Sequence, residues 1–507
     1  MQEEIIAVVQ DVGYCSENVL TSYSIEAPGS FAEKQGLVYR ETVNSVHKKS
    51  KGQFFSPFEL AKFMASFCSI KSSHITILDP GCGTGILCCT LVEHLVDNSK
   101  VKSIELTCYE NDPDIIPYLK KSLLNLQRWL NKRNIKFLTK IVPDDFIICA
   151  SQIVNDKNAA KYDVVISNPP YFKLDVTDTK VALTEKEIGR QFNIYSMFMA
   201  YAAKLLNSAG EMIFVTPRSF ASGKYFRGFR DKFLRVVTIE KIHVFRSRRA
   251  IFRRDGVLQD NIILKAVKKS DITGDVIITT SNDLQDINQQ EHMRIALSKI
   301  VNYSSSEKIL HIPTTREEEK VLEIFSSWEN KLSDFDIKVS TGRVVYFRAK
   351  EFLLPEDSEN CQKVPLIWLH NVNNMLFDWP LNYKQCHQYL KLDAKSQRLT
   401  IPNGNYIFVR RFSSKDDKHR LIAAPYINNN PEFPALGIEN RVNYLYKANG
   451  MFTPEEVMGL SELLNSEIYN QYFHTFSGSL NISATELREL SIPNFEEIKL
   501  INNQIFK

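Results

Sequence analysis

Ile75-Thr76-Ile77-Leu78-Asp79-Pro80-Gly81-Cys82-Gly83-Thr84-Gly85 reads as the end of a strand followed by a turn nearly bare of side chains. Gly81, Gly83 and Gly85 carry no Cβ and tolerate positive φ, so a ligand can come close to the backbone there. Past the turn, Ile86, Leu87, Leu91 and Leu95 recur at helical spacing. Strand, glycine loop and helix in that order open an α/β unit. The spacing is G-x-G-x-G, with Asp79 closing the strand before the first glycine, which is not the dinucleotide fingerprint.

Working outward, a second strand-like run from Ile104 to Tyr109 ends in Glu110, whose carboxylate can take both hydroxyls of a ribose. A third, Ile135 to Val142, leads to Asp145 and Phe146, an acceptor for an adenine amino group and a ring to pack on the base. A fourth, Val164-Val165-Ile166, runs into Asn168-Pro169-Pro170-Tyr171. That tetrapeptide suits a specific difficulty, the methylation of an amino group whose lone pair is delocalised into a π-system. The Asn168 side-chain oxygen and the Pro169 carbonyl can accept the N–H hydrogens, because a Pro-Pro unit fixes φ and leaves its carbonyls free. Tyr171 offers a flat face on which a base taken out of the duplex can stack.

These residues resemble S-adenosylmethionine-dependent amino-methyltransferases, specifically the bacterial DNA adenine-N6 methyltransferases of the gamma, or TaqI-like, class. Lys51-Gly52-Gln53-Phe54-Phe55-Ser56-Pro57 is similar to the motif that precedes the glycine loop in that class and closes over the methionine end of the cofactor. Asn193-Ile194-Tyr195, then Gly210 to Pro217, and then Phe252 to Leu264 are similar to its later motifs. The resemblance implies a cofactor site at Phe54, Ser56, Asp79, Gly81, Cys82, Gly83, Glu110, Asp145 and Phe146. It implies catalysis at Asn168, Pro169, Pro170 and Tyr171, and a flipped adenine packed against Phe252. Ser56 replaces a commoner Thr, and Asp79 stands where some relatives have Glu; both substitutions keep the hydrogen-bonding chemistry. Val339 to Arg343, Val364 to Trp368, Arg410 to Ser414, Glu439 to Arg441 and Gly459 to Ser466 look like stretches of restriction-modification methylases of the PstI and BsuBI kind. That likeness implies methylation of adenine in the palindrome CTGCAG, the protective half of a type II restriction-modification system. S-adenosylhomocysteine would be the second product.

Composition is compatible with this. With 507 residues and 44% apolar content the chain can bury a large core. No run approaches the roughly 20 apolar residues that span a bilayer, the N-terminus lacks a signal-peptide pattern, and the nine scattered cysteines fit a reducing cytoplasm. No membrane partner is expected. Cys88 and Cys89 read as core fillers. The ten histidines include no His-x-x-x-His pair, so no metal is expected. The net charge is only +4, but between Lys224 and Asp255 eleven Lys and Arg face three acids, an excess of eight. Lys224, Arg227, Arg248 and Arg249 of this run are candidate phosphate contacts, weighed against the plainer reading of a solvated helix face.

The expected architecture is a doubly wound sheet with a C-terminal α+β target-recognition domain. A helical lead-in covers residues 1–50, the catalytic domain 51–268, a polar linker 269–306 and the recognition domain 307–507. The partners are double-stranded DNA with a flipped adenine and a cognate endonuclease that shares the site without necessarily binding; the chain is expected to be monomeric. A cytosine-C5 methyltransferase is disfavoured, since no Pro-Cys dipeptide occurs. Cytosine-N4 transfer, glutamine-N5 transfer to protein, and a catalytically silent DNA-binding specificity protein stay open as alternatives.

Overall fold

The structure is a computed structural model that describes residues 25–42, 56–156, 158–247, 260–269, 273–354, 361–381, 387–413, 419–428, 432–476 and 481–494. Its first part contains helices α1 (Pro28–Thr42), α2 (Phe58–Ala65), α3 (Ile86–Asn98), α4 (Ile116–Asn131), α5 (Phe146–Ile153), α6 (Thr179–Ile188), α7 (Ile194–Leu205) and α8 (Arg227–Phe233). The strands are β1 (His74–Pro80), β2 (Ser103–Tyr109), β3 (Lys136–Val142), β4 (Tyr162–Ser167), β5 (Leu206–Pro217), β6 (Thr238–Phe245), β7 (Asn261–Val267), β8 (Asp275–Ser281) and β9 (Glu291–Ala296). All nine lie in one sheet in the order β3-β2-β1-β4-β5-β7-β6-β8-β9. The strands from β3 to β5 are parallel, and β7 runs antiparallel to both β5 and β6.

The continuous apolar runs exist because both faces of this sheet are covered. On β4, Val164 and Ile166 pack with α1 to α4, while Val165 between them packs with α5 to α8. The chain leaves β1 toward β2 and later returns to add β4 on its other side, so a crevice opens at the C-terminal ends of β1 and β4. Asp79 lies near the end of β1, and Glu110 and Asn168 directly follow β2 and β4 at that edge.

Residues 269–306, expected as a linker, include β8 and β9, which extend the sheet: β8 pairs parallel with β6 and antiparallel with β9. The segment reads as polar because an edge strand needs apolar residues on one face only. Met293 and Ile295 are buried, while Glu291, His292 and Arg294 are exposed.

The second part mixes short strands and helices. Ile337–Thr341, Val442–Lys447, Tyr406–Arg410 and Ala423–Tyr426 form an antiparallel sheet packed against helices Arg316–Ser327, Pro454–Asn465 and Glu467–Phe476. Arg218, directly after β5, ties the two parts together. One of its guanidinium nitrogens donates to the carbonyls of Ile312 (2.9 Å), His474 (3.1 Å) and Thr475 (2.5 Å). The last two carbonyls belong to the final turn of helix Glu467–Phe476, where acceptors lack intrahelical donors and a cation is favoured. Among the described residues no helix is long and apolar enough to cross a membrane.

Candidate active site

The glycine loop is built as a cradle. Gly81, Gly83 and Gly85 have φ of +113°, +55° and +88°, so side chains at these positions would be strained. The Gly81 and Cys82 N–H groups donate to the Tyr109 carbonyl at 2.9 and 3.0 Å, which fixes the loop to the end of β2. A Cβ on Gly81 would stand 3.3 Å from the Phe198 ring. Glu110, 8% exposed, accepts from the Gly83 N–H through one oxygen and from the Asp112 N–H through the other, both at 2.9 Å. Burial pushes its carboxyl up, and the backbone donors of Asp112 and Gly83 pull it back. Each oxygen keeps a further lone-pair direction for a hydroxyl on the cavity side.

Asp79 lies behind the loop, fully buried, with both oxygens lacking a hydrogen-bond partner among the described residues. The neighbouring Cys88 thiol donates instead to the Gly85 carbonyl at 3.2 Å. Burial therefore holds the Asp79 carboxyl well above the ordinary range.

Asp145 caps α5, accepting from the N–H groups of Ile147 (2.9 Å) and Ile148 (3.3 Å) with one oxygen. Its second oxygen lies 3.6 Å from the Lys180 ammonium. Phe146 is packed between Tyr109 and Phe198, ring centroids 5.2 Å from each, and shows an edge to the cavity.

Asn168 follows β4. Its amide nitrogen donates to the Ser56 hydroxyl at 3.2 Å, joining the lead-in motif to the tetrapeptide. The Tyr171 hydroxyl lies 2.6 Å from the Asn168 side-chain oxygen and 2.9 Å from the Val215 carbonyl. A phenol has one proton, so it donates to one of these two acceptors at a time. Burial pushes the Tyr171 hydroxyl well above its ordinary range, so it stays protonated.

One cavity of about 270 Å³ brings these parts together. Of the expected residues, Ser56, Gly81, Cys82, Gly83, Glu110, Asp145, Phe146, Asn168 and Pro170 line it. Asp79, Pro169 and Tyr171 are not among its lining residues. Phe54, Arg248, Arg249 and Phe252 lie outside the described residues. Phe172 and Lys180 also line the cavity and were missed. The position of Phe172 directly after the tetrapeptide was a usable signal, whereas nothing in the local sequence marks Lys180.

The basic run is not a uniform solvated face. Of its seven described cations, Arg227 pairs with Glu307, Arg235 with Asp231 and Arg246 with Glu291, while Lys241 covers the Phe67 ring. Arg230 is buried and donates to the carbonyls of Phe220, Ser222, Gly223 and Glu307. Lys224 and Lys232 are exposed. Arg227 is thus an ion-paired side chain at half exposure rather than an open phosphate contact. Counting charges along the sequence cannot see such pairings.

Among the described residues no group of three His, Cys, Asp or Glu could hold a metal ion.

Residues 89–252 match the family described as Eco57I restriction-modification methylase. The chain is 32% identical over 465 residues to Type II methyltransferase M.PstI of Providencia stuartii, covering 92% of this chain and 91% of that protein. It is 33% identical to Type II methyltransferase M.BsuBI of Bacillus subtilis over 464 residues, 90% of each chain. Among solved structures, the Type IIL restriction-modification enzyme MmeI in complex with DNA aligns with 94% of this chain and 68% of its own, at 13% identity and a TM-score of 0.50. At that identity the likeness concerns the fold.

Proposed function

The chain belongs to the Type II restriction-modification methyltransferases, and from that premise we propose that it transfers a methyl group from S-adenosylmethionine to N6 of adenine in a short palindromic site of duplex DNA. CTGCAG is the site that the resemblance to methylases of the PstI and BsuBI kind favours. The observation that carries the reading is a single cavity lined by the glycine loop, by Glu110 and Asp145, and by the Asn168 amide. A donor and an amino acceptor held in it would meet without a covalent enzyme intermediate.

The residues fit that cofactor. The loop leaves room that a Cβ at Gly81 would reduce, Glu110 can accept from both ribose hydroxyls, and the outward oxygen of Asp145 can accept from the adenine amino group. The Glu110 and Asp145 carboxyl groups of the wall suit a molecule that carries positive charge. When bound, S-adenosylmethionine supplies an electrophilic methyl group on a sulfonium.

Asn168 and the Pro169 carbonyl then do the work that the substrate needs. As the target amino group approaches, the Tyr171 proton can turn to the Val215 carbonyl, leaving the Asn168 oxygen to accept an N–H hydrogen. Drawing electron density toward the nitrogen in this way, and holding it in line, is a contribution of positioning and preorganised polarity. The Tyr171 ring, its hydroxyl within reach of both the Asn168 oxygen and the Val215 carbonyl, would present its face to the extruded base. Residues 307–507 would read base edges, a task the catalytic half leaves undone.

Single-molecule sequencing of DNA treated with the purified protein and S-adenosylmethionine tests this. Methylated adenine inside one short palindrome is expected. Modified cytosine, or a methylated protein glutamine with no DNA product, would overturn it.

A further inference from the structure

Tyr225 is 80% exposed, the most exposed large apolar side chain among the described residues, yet it stands on a rigid support. Single exposed rings on loose loops are ordinary. Here the turn Lys224–Phe226 follows Gly223, whose φ is +75°, and is anchored from both sides by buried side chains. Arg230, 1% exposed, donates through one nitrogen to the carbonyls of Phe220 (3.2 Å), Ser222 (2.6 Å) and Gly223 (3.0 Å). Gln191, also 1% exposed, donates to the Tyr225 carbonyl at 2.9 Å.

The same Gln191 side chain connects the turn to the cavity rim. Its oxygen accepts from the N–H groups of Phe192 (2.9 Å) and Asn193 (3.3 Å). Those residues pair with the segment after the tetrapeptide: the Leu174 N–H donates to the Phe192 carbonyl at 2.8 Å, and the Ile194 N–H to the Phe172 carbonyl at 3.2 Å. Phe226 adds a second connection, since its ring lies 5.8 Å from Tyr195, which lies 6.3 Å from Tyr171. The turn that carries the exposed ring is therefore tied to Phe172, Leu174 and Ile194, which line the cavity.

A ring presented this way beside an exposed lysine, Lys224, matches a partner with stacked bases and phosphates. Extruding a base leaves a gap in the stack, and proteins that distort duplexes commonly fill such gaps with apolar side chains. We propose that Tyr225 enters the base stack beside the extruded adenine while Lys224 meets a neighbouring phosphate. This rests on the reading of the chain as a DNA adenine methyltransferase.

The test uses the full chain and a duplex carrying the site that sequencing of its methylated product defines, with 2-aminopurine in place of the target adenine. Tyr225→Ala should lower the fluorescence gain on binding and weaken specific binding by roughly five- to hundredfold, the range for losing one aromatic stacking contact. Tyr225→Phe should restore most of both, and cofactor affinity should be unchanged in either variant. The Tyr225→Ala defect should shrink when the target adenine faces a mismatched base, because unstacking is then already partly met. Wild-type fluorescence and binding in Tyr225→Ala, or an equal defect on matched and mismatched duplexes, would overturn the role of Tyr225 alone. A wild-type chain that methylates no adenine would instead overturn the underlying function.

Discussion

The two walls of the cavity are built on different principles. On the cofactor side, a carboxylate is gripped by backbone N–H groups: Glu110 by Gly83 and Asp112, and Asp145 by the first turn of α5. On the target side, contacts run from side chain to side chain, Ser56 to Asn168 to Tyr171. Backbone donors move only with the fold, so the first wall is fixed once the sheet forms. The second wall has a proton that can choose between two acceptors, and it can rearrange when a base arrives. Substitutions should therefore separate binding from chemistry according to the wall they touch.

The largest effect is expected from Asn168→Ala. Methyl transfer should fall by about a hundredfold or more, the order of losing one preorganised transition-state hydrogen bond, while cofactor affinity stays near wild type. Single-turnover transfer of a radiolabelled methyl group, with a separate cofactor titration, checks it. Comparable losses in both would erase the distinction between the walls.

Next comes Glu110→Gln, with the opposite signature. Two hydrogen bonds to a charged acceptor weaken, so cofactor affinity should drop roughly ten- to hundredfold while transfer at saturating cofactor changes little. Calorimetric titration with S-adenosylhomocysteine reads the first quantity. A large fall in saturated rate would move Glu110 into the chemistry.

A smaller effect is expected from Tyr171→Phe, which keeps the ring and removes only the hydroxyl that steadies Asn168. Loss of one neutral hydrogen bond predicts about a two- to tenfold slower transfer. Tyr171→Ala, which also loses the ring face, should be slower still. Equal rates in the two variants would assign the whole effect to the hydroxyl.

The mildest contrast is in pH. Glu110 must be ionised to accept ribose hydroxyls well, and burial raises its carboxyl above the ordinary value. Cofactor affinity should thus weaken as pH falls, beginning above the range of an exposed glutamate, and Glu110→Gln should flatten that dependence. The amide, hydroxyl and carbonyl of the target wall do not titrate there. A wild-type titration that stays flat down to the ordinary carboxylate range would contradict the raised carboxyl.

The sequence made the cofactor wall readable for the same reason that the wall is rigid. Short apolar runs define β1 to β4, and those of β2, β3 and β4 lead into Glu110, Asp145 and Asn168, which the fold brings to the cavity. Asn168 stood out by its chemistry, and the fold places it in the cavity lining. Three features were not readable, each for a local reason. Asp79 looks like a wall residue in a strand-loop pattern, but the last turn of the strand tucks it behind the glycines. β9 is hidden by the half-polar composition that an edge strand tolerates, and β8 by its short run of Thr and Ser after Val276, Ile277 and Ile278. The roles of Arg227 and Arg230 depend on Glu307, more than seventy positions away, and no run of charges reports such a partner.

Arg218 joins the two halves through three carbonyls and, at this contact, no partner side chain. Any residue at 312, 474 or 475 presents the same acceptor, so the joint survives changes in the sequence on its far side as long as the helix keeps its course. The surface of the second half can therefore vary without altering these three acceptors. On that far side the joint is written in the main chain, and on the near side it rests on one side chain, that of Arg218.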